Sequence, residues 1–212
     1  VLTLWAQSKA DAINVSIGIV QRLGVAARGY AFYLYKLVLP FNLAPIYQMP
    51  VSNAEIFNFG LVIALLALGG VLCVCLLTFK RGAGFSAAWM YYAVTLAPVS
   101  GIIQVGSQGA ADRYMYLPSL SLFILAGVLA GWIIGSQRRR IKTVAVVFAV
   151  FVVSFLSVLT IWQEEIWQDS LTLWSHQILL YPGNVSKAYS NRAGEYFKLG
   201  DMKNALKDAS AA

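Results

Sequence analysis

The chain alternates between long apolar runs and short polar stretches. Four runs without a charged residue cover residues 56–79, 85–103, 117–136 and 143–162. Each run contains 19 to 24 residues, and a helix needs about 20 residues to cross a hydrocarbon layer of roughly 30 Å. The pattern therefore predicts an all-α protein with four membrane-spanning helices. Pro98 is expected to kink the second span, because proline lacks the N–H that a helix interior uses.

Residues 16–38 have a different pattern. Apolar residues recur there at helical spacing, and the opposite face carries Gln21, Arg22, Arg28 and Lys36. Cations along one face are typical of a helix that lies in the membrane interface. We therefore predict an interfacial helix at about 16–38, which Pro40 ends.

The last fifty residues are predicted to be soluble. Residues 163–212 contain no membrane-length run, so we divide the chain into a membrane domain, 1–162, and a soluble region, 163–212. The spacing from Glu164 to Leu180 predicts one amphipathic helix, stopped by Pro182 and Gly183. We expect it to pack through Trp174 and Tyr189 on a helix at 186–199, with a further helix starting near Asp201.

Composition and charge support a membrane protein. Apolar residues make up 59% of the chain and charged residues 12%, which is unusual for a soluble domain. The net charge of +7 does not indicate nucleic-acid binding, because the six cations at 80–81 and 138–142 occupy two short loops between spans. The positive-inside rule makes these loops cytoplasmic. The polar segment at 101–118 and the soluble region are then expected on the outer face.

The segment at 101–118 carries Asp112 and Arg113 within a few residues of apolar runs on both sides. Ionisable residues at a membrane edge are costly unless they have partners, which makes this pair a candidate functional site. The alternative is a structural pair that ties the loop down. Cys73 and Cys75 stand one residue apart in an apolar run and are expected to pack as small hydrophobic residues. No metal site is predicted.

The soluble region resembles a tetratricopeptide repeat. Six residues fall on the small and aromatic positions of that repeat: Tyr189, Ala193, Tyr196, Gly200, Ala205 and Ala212. Arg192 stands where leucine is usual, and Ala209 where a large aromatic residue is usual. A generic helical hairpin is the alternative. Since one repeat cannot bury its own faces, further repeats are expected in a longer protein.

Four sequence elements together are more specific than any one of them. Residues 98–108 read Pro-x-x-Gly-x-x-Gln-Val-Gly-x-Gln, and residues 111–118 read Ala-Asp-Arg-Tyr-x-Tyr-Leu-Pro. Upstream, residues 33–36 read Tyr-Leu-x-Lys and residues 40–43 read Pro-x-Asn-Leu. With the repeat downstream, the chain resembles the transmembrane and tetratricopeptide-repeat proteins, a family that includes the lumenal O-mannosyltransferases and bacterial homologues.

This resemblance implies a GT-C-type membrane glycosyltransferase that takes a sugar from a polyprenyl-phosphate carrier. The substrate-binding candidates are Arg113, Asp112, Tyr116 and Gln108, because arginine binds phosphate at two points, a carboxylate can orient it, and tyrosine suits the interface. The family's catalytic acid usually lies nearer the N-terminus, so we expect the chain to be part of a longer protein. Four titratable residues are not convincing replacements: Glu55, Glu164, Glu165 and His176.

The expected partners are membrane lipids, the lipid-linked sugar and a protein or glycan acceptor recruited by the repeats, with no cofactor. We favour a bacterial inner membrane over the endoplasmic reticulum, with the repeats on the periplasmic or lumenal side. The main alternative function is a non-catalytic, membrane-anchored repeat scaffold. A transporter is a weaker alternative, because the spans carry no charge at mid-membrane.

Overall fold

The computed structural model describes residues 18–48, 52–80, 83–100, 108–136, 138–182 and 186–212. These residues are almost entirely helical, which confirms the predicted class. The helices are α1 (Ile19–Val38), α2 (Asn53–Ile56), α3 (Phe59–Thr78), α4 (Gly84–Leu96), α5 (Tyr116–Ile134), α6 (Arg139–Trp167), α7 (Ser170–Leu180), α8 (Ser186–Lys198) and α9 (Met202–Ala211). Two strands, β1 (Tyr47–Gln48) and β2 (Gln108–Ala110), form a short antiparallel ladder.

The described residues form two units. The first contains residues up to Phe41 and Ile46–Lys142, and the second contains Asn42–Pro45 and Thr143–Ala212. The first unit therefore holds α1 to α5 with the β-ladder. The second holds nearly all of α6 together with α7, α8 and α9.

Three segments are long and apolar enough to cross a membrane: Phe59–Thr78, Asp112–Ile134 and Arg139–Trp167. The second of these joins a 3-10 turn, Asp112–Met115, to α5. Only 11%, 17% and 0% of their most apolar windows are buried within the protein. Apolar surface on this scale needs a hydrocarbon environment, so the chain has the character of an integral membrane protein.

The predicted span at 85–103 is not one continuous helix. Helix α4 has 13 residues, and the chain continues as a 3-10 turn at Ala97–Val99. Pro98 lies inside that turn, where its missing N–H disrupts the helical hydrogen bonding, as expected. Residues 101–103 lie outside the described residues. The helical part measures about 25 Å, which is short for a membrane crossing.

Helix α1 packs tightly against the beginning of α3. Val25 and Ile56 are 5% and 0% exposed and form a small buried cluster. A Cβ on Gly24 would stand 2.9 Å from the Ile56 side chain, so this contact requires glycine. The Arg28 guanidinium donates to the carbonyl oxygens of Glu55 and Ile56 and to Asn58 Oδ1. Helix α1 is therefore fixed to the short α2 and the first turn of α3.

The same helix also contacts α4 and the segment before α5. Tyr30 donates its hydroxyl to the Ala93 carbonyl at 2.7 Å, in the last turn of α4. Tyr33 bonds to Ala111, just before the 3-10 turn that leads into α5. Helix α1 thus reaches the beginning of α3, the end of α4 and the beginning of α5. Its predicted helical character is confirmed for residues 19–38, and its interfacial position stays a prediction.

In the second unit, the helix predicted at 164–180 is interrupted. Helix α6 continues past the apolar run to Trp167, and α7 begins separately at Ser170. The Asp169 carboxylate caps α7 by accepting the Thr172 N–H at 2.8 Å. A single amphipathic helix at 164–180 was therefore a wrong prediction. Apolar spacing continues across the break, whereas the aspartate cap decides where the new helix starts.

Helices α8 and α9 form an antiparallel hairpin, and α7 packs against α8, as expected. Gly200, with φ of 79°, ends α8 in the left-handed conformation. The Asp201 N–H donates to the Tyr196 carbonyl at 2.9 Å, and the Gly200 N–H donates to the Phe197 carbonyl at 3.0 Å. These two bonds form a Schellman motif. Asp201 then caps α9 by accepting the Asn204 N–H at 3.1 Å.

Candidate functional site

Tyr33 holds the peptide group that precedes the Asp112–Arg113 pair. Its hydroxyl accepts the Ala111 N–H at 3.0 Å and donates to the Ala111 carbonyl at 3.2 Å. Tyr33 is 1% exposed and Ala111 is fully buried. Burial raises the Tyr33 pKa to about 12, so the hydroxyl keeps its proton at physiological pH. One side chain of α1 therefore fixes the chain just before Asp112.

Tyr47 fixes the Asp112 carboxylate. The β-ladder pairs Tyr47 with Ala110, which brings the tyrosine next to the residues that follow β2. The Tyr47 hydroxyl donates to Asp112 Oδ1 at 2.9 Å. Since this contact joins residues 65 positions apart, it links the loop before α2 to the start of α5.

Lys36 is the second cation of the site. Its Nζ lies 5.3 Å from the centre of the Tyr47 ring and 5.7 Å from that of Phe32, and it donates to the Phe41 carbonyl. Burial lowers the Lys36 pKa, while the negative charge of Asp112 acts in the opposite direction. The ammonium is therefore partly withdrawn from solvent, beside the ring that holds Asp112.

Arg113 occupies the exposed side of the same turn. Its guanidinium carbon lies 5.1 Å from the centre of the Tyr114 ring, within the range of a cation–π contact. Tyr116 begins α5 three residues later and is 77% exposed. Arg113 and Tyr116 are thus accessible at the end of a membrane-length helix, while Asp112 faces the tyrosine and lysine of the first unit.

The candidates from the sequence do not all meet. Asp112 and Arg113 lie in one 3-10 turn with Tyr116 directly after it. The backbone of Gln108 pairs with Gln48 in the ladder, but its side chain lies outside the described part of the structure. A role for Gln108 in the site stays a prediction.

Sequence reasoning missed three residues of the site: Tyr33, Lys36 and Tyr47. Lys36 had been assigned to the polar stripe of the interfacial helix. The signal available was the spacing of Tyr33 and Lys36, because residues three apart share one face of a helix. Their contact with Ala111 and Asp112 depends on tertiary structure, which no local pattern contains.

The remaining titratable candidates have simpler roles or positions. The Glu55 carboxylate accepts the Ser52 N–H at 3.2 Å in a capping box. Glu164 and Glu165 lie exposed near the end of α6. His176 is in the second unit, and its Nε2 is buried without a hydrogen-bond partner in the described structure. Among the described residues, no cluster of histidine, cysteine and acidic side chains could hold a metal ion.

The arrangement suits the binding of an anion. Arg113 and Lys36 supply two positive charges, and Asp112 supplies one negative charge, so these three groups carry a net charge of about +1 at neutral pH. An exposed guanidinium offers two parallel N–H donors that match the oxygens of a phosphate. Comparison with known proteins identified no relative, since no family model, curated protein or solved structure matches the chain.

Proposed function

We propose that the chain belongs to an integral membrane glycosyltransferase of GT-C type, which transfers a sugar from a polyprenyl-phosphate carrier to a protein or glycan acceptor. The observation that carries the proposal is the position of Arg113, exposed at the start of a helix long enough to cross a membrane. A lipid-linked phosphate has its charge at the membrane surface and its tail in hydrocarbon. A cation at the end of a spanning helix can bind the phosphate at the membrane surface while the lipid tail stays in the hydrocarbon.

In this proposal each residue of the site has a separate role. Arg113 binds the donor phosphate, and Tyr116 contacts the head group at the interface. Asp112, held by Tyr47, keeps the turn in place, and Lys36 adds a second positive charge behind the carboxylate. Gln108 is assigned to the same substrate. The catalytic acid is not assigned to any residue of this chain.

The proposal includes a topology. Helix α4, with the 3-10 turn and residues up to 103, acts as a fourth span. The contacts of α1 support this, since α1 reaches the beginning of α3, the end of α4 and the beginning of α5. We place these ends on the outer face of a bacterial inner membrane, preferred over the lumenal face of the endoplasmic reticulum. The α8–α9 hairpin on the same side is proposed as a tetratricopeptide repeat that recruits the acceptor.

The test compares three variants of the full chain, reconstituted in lipid nanodiscs. Arg113→Ala should weaken binding of a polyprenyl-phosphate sugar by about tenfold or more, because a charge-assisted contact contributes about 1.5–3 kcal/mol. Arg113→Lys should recover part of the affinity, since it keeps the charge and loses the two-point geometry. Arg140→Ala, in the first turn of α6, is the matched control.

Thermal stability is measured beside the affinity for each variant. If Arg113→Ala binds the donor as the unaltered protein does but gives little folded protein, Arg113 has a structural role with Asp112 and the proposal fails. An equal loss of donor affinity in Arg140→Ala would mean that general surface charge causes the effect of Arg113→Ala. This result would also contradict the proposal.

A second candidate is a non-catalytic, membrane-anchored scaffold. The α8–α9 hairpin exposes Phe197, Leu199, Met202 and Leu206, each between 51% and 72%. Large apolar residues clustered on one hairpin favour a protein-contacting surface. If the chain is a scaffold, Leu206→Asp should abolish partner binding, and the unaltered chain should not bind the lipid-linked donor. If the chain is a transferase, the unaltered chain must bind the donor.

A further inference from the structure

The first unit contains an open groove between α1, α3 and the β-ladder. Its volume is about 360 Å³, which lies within the range of about 300–1,000 Å³ for small-molecule sites. The side chains that define it are those of Arg28, Phe32, Tyr35, Tyr47, Ile63 and Ala64. All of these residues belong to the same unit.

The groove is continuous with the surface expected to face lipid. Ile63 lines it from the second turn of α3 and is 54% exposed. Helix α3 is one of the three membrane-length helices. Since the first turns of α3 form one wall and α1 crosses above them, a hydrocarbon chain can pass from the bilayer into the groove beside Ile63 and Phe32.

Arg28 gives the groove its only strongly polar wall within the described lining. The acceptors of its guanidinium are the Glu55 and Ile56 carbonyl oxygens and Asn58 Oδ1. All three acceptors are neutral, so these contacts fix the guanidinium in place without neutralising its positive charge. A cation held at the edge of an apolar groove is complementary to an amphiphile with an anionic head group.

We propose that this groove binds an anionic membrane phospholipid, with the phosphate at Arg28 and one hydrocarbon chain along Phe32 and Ile63. The site differs from the Asp112–Arg113 turn, and the proposal does not depend on sugar transfer. The chemistry of the lining favours this occupant. A zwitterionic lipid would gain less from a lone cation, and a sugar or a peptide would leave most of its polar groups unpaired against aromatic and aliphatic walls.

The consequence is a lipid that joins α1 to α3. Arg28 already ties α1 to the α2 carbonyls, and a phosphate on the same guanidinium would add a second bond. A lipid that binds the folded form alone stabilises it by mass action. Anionic lipid should therefore stabilise the chain more than neutral lipid of the same acyl composition.

The experiment uses the full chain, purified in detergent and freed of lipid. Phosphatidylglycerol and phosphatidylcholine with identical acyl chains are titrated separately, with native mass spectrometry and thermal unfolding as readouts. The unaltered protein should bind phosphatidylglycerol about tenfold more tightly, the size of one charge-assisted contact. Arg28→Gln should lose this preference, and Arg28→Lys should retain part of it.

A matched pair on α1 tests the groove itself. Ala31 lines the groove, whereas Ala27, one turn earlier, does not. Ala31→Phe should fill the space and weaken the binding of both lipids, while Ala27→Phe should leave binding unchanged. If Arg28→Gln fails to fold, the comparison of Ala31→Phe with Ala27→Phe still tests whether the lipid binds in the groove.

Four outcomes would overturn the proposal. Equal affinity for the two lipids would mean that the groove selects hydrocarbon without regard to charge. Retention of the full preference in Arg28→Gln would place the anion elsewhere, with Arg113 then tested by the same titration. Equal effects of Ala31→Phe and Ala27→Phe, or a dimer that closes the groove without lipid, would remove the groove as the binding site.

Discussion

The Arg192 side chain on α8 and the Asp208 carboxylate on α9 form a two-point ion pair, with nitrogen–oxygen distances of 2.6 Å and 2.9 Å. A third contact joins α7, because Arg192 also donates to Ser175 Oγ at 3.1 Å. The Asp208 side chain is only 4% exposed. If the hairpin is the proposed tetratricopeptide repeat, Arg192 stands where leucine is usual, and Asp208 supplies the carboxylate that pairs with it.

Breaking this pair from one side should destabilise the hairpin. Asp208→Leu leaves a partly buried guanidinium without its carboxylate, at a cost of about 3 kcal/mol. The double variant Arg192→Leu/Asp208→Leu should lose much less than the sum of the two single variants, because apolar pairs often replace buried ion pairs at little cost. Chemical denaturation combined with amide hydrogen exchange of α8 and α9 measures both effects. Additive losses would show that the two residues do not act as a pair.

Tyr33→Phe should loosen the segment that carries Asp112 and Arg113. The change removes both bonds to the Ala111 peptide and leaves its buried N–H and carbonyl without that partner, at a cost of roughly 2 kcal/mol. Amide exchange at residues 110–115 should become faster. Tyr35→Phe is the control, because Tyr35 lies on the same helix and is 54% exposed. Unchanged exchange in Tyr33→Phe would contradict the role assigned to its hydroxyl.

Lys36 should make anion binding depend on pH. Burial lowers its pKa below the ordinary value of 10.5, so its positive charge, present at lower pH, is lost as the pH rises through the lowered value. Arginine stays charged throughout this range. Affinity for a phosphate lipid should therefore fall with rising pH before any arginine titrates. Lys36→Arg should remove the fall, and Lys36→Met should give weak binding at every pH. A flat profile for the folded, unaltered protein would rule out a contribution from Lys36.

Cysteine labelling can decide whether α4 crosses the membrane. In a background without Cys73 and Cys75, single cysteines are placed at positions 80, 109 and 139 and treated with an impermeant reagent in intact cells. If α4 crosses, positions 80 and 139 are protected and position 109 is labelled. If α4 does not cross, positions 80 and 139 lie on opposite sides, since α5 still spans. Labelling at both 80 and 139, with none at 109, would reverse the proposed orientation.

Length and hydropathy were enough to predict the long helices. The apolar runs at 56–79, 117–136 and 143–162 each overlap a membrane-length helix, because a backbone in hydrocarbon must satisfy its hydrogen bonds internally. The run at 85–103 was also free of charge, but its α-helix ended at Leu96, directly before the 3-10 turn that contains Pro98. Hydropathy reports whether a segment prefers water or hydrocarbon. It does not report the backbone hydrogen bonds that a proline such as Pro98 removes.

The candidate site was predicted only in part. Asp112 and Arg113 stood out because charge is rare beside apolar runs, and this signal is local. Tyr47 reaches Asp112 through a ladder of a few residues, too short to have a recognisable alternation. Lys36 approaches the site because it lies against the Tyr47 ring, whose hydroxyl holds Asp112. These long-range contacts depend on how several helices fit together, which the spacing within one segment cannot specify.

Helix α6 has a mechanical consequence. Its 29 residues form a rod of about 43 Å, longer than the hydrocarbon layer, with no break where the apolar run ends at Trp162. The backbone next leaves the helix at Gln168 and Asp169, so these two residues form the joint between α6 and α7. A force applied to the α8–α9 hairpin would bend the chain at Gln168 and Asp169 before it tilted α6. A continuous helix rather than a flexible tether therefore sets the distance between the apolar run and the joint.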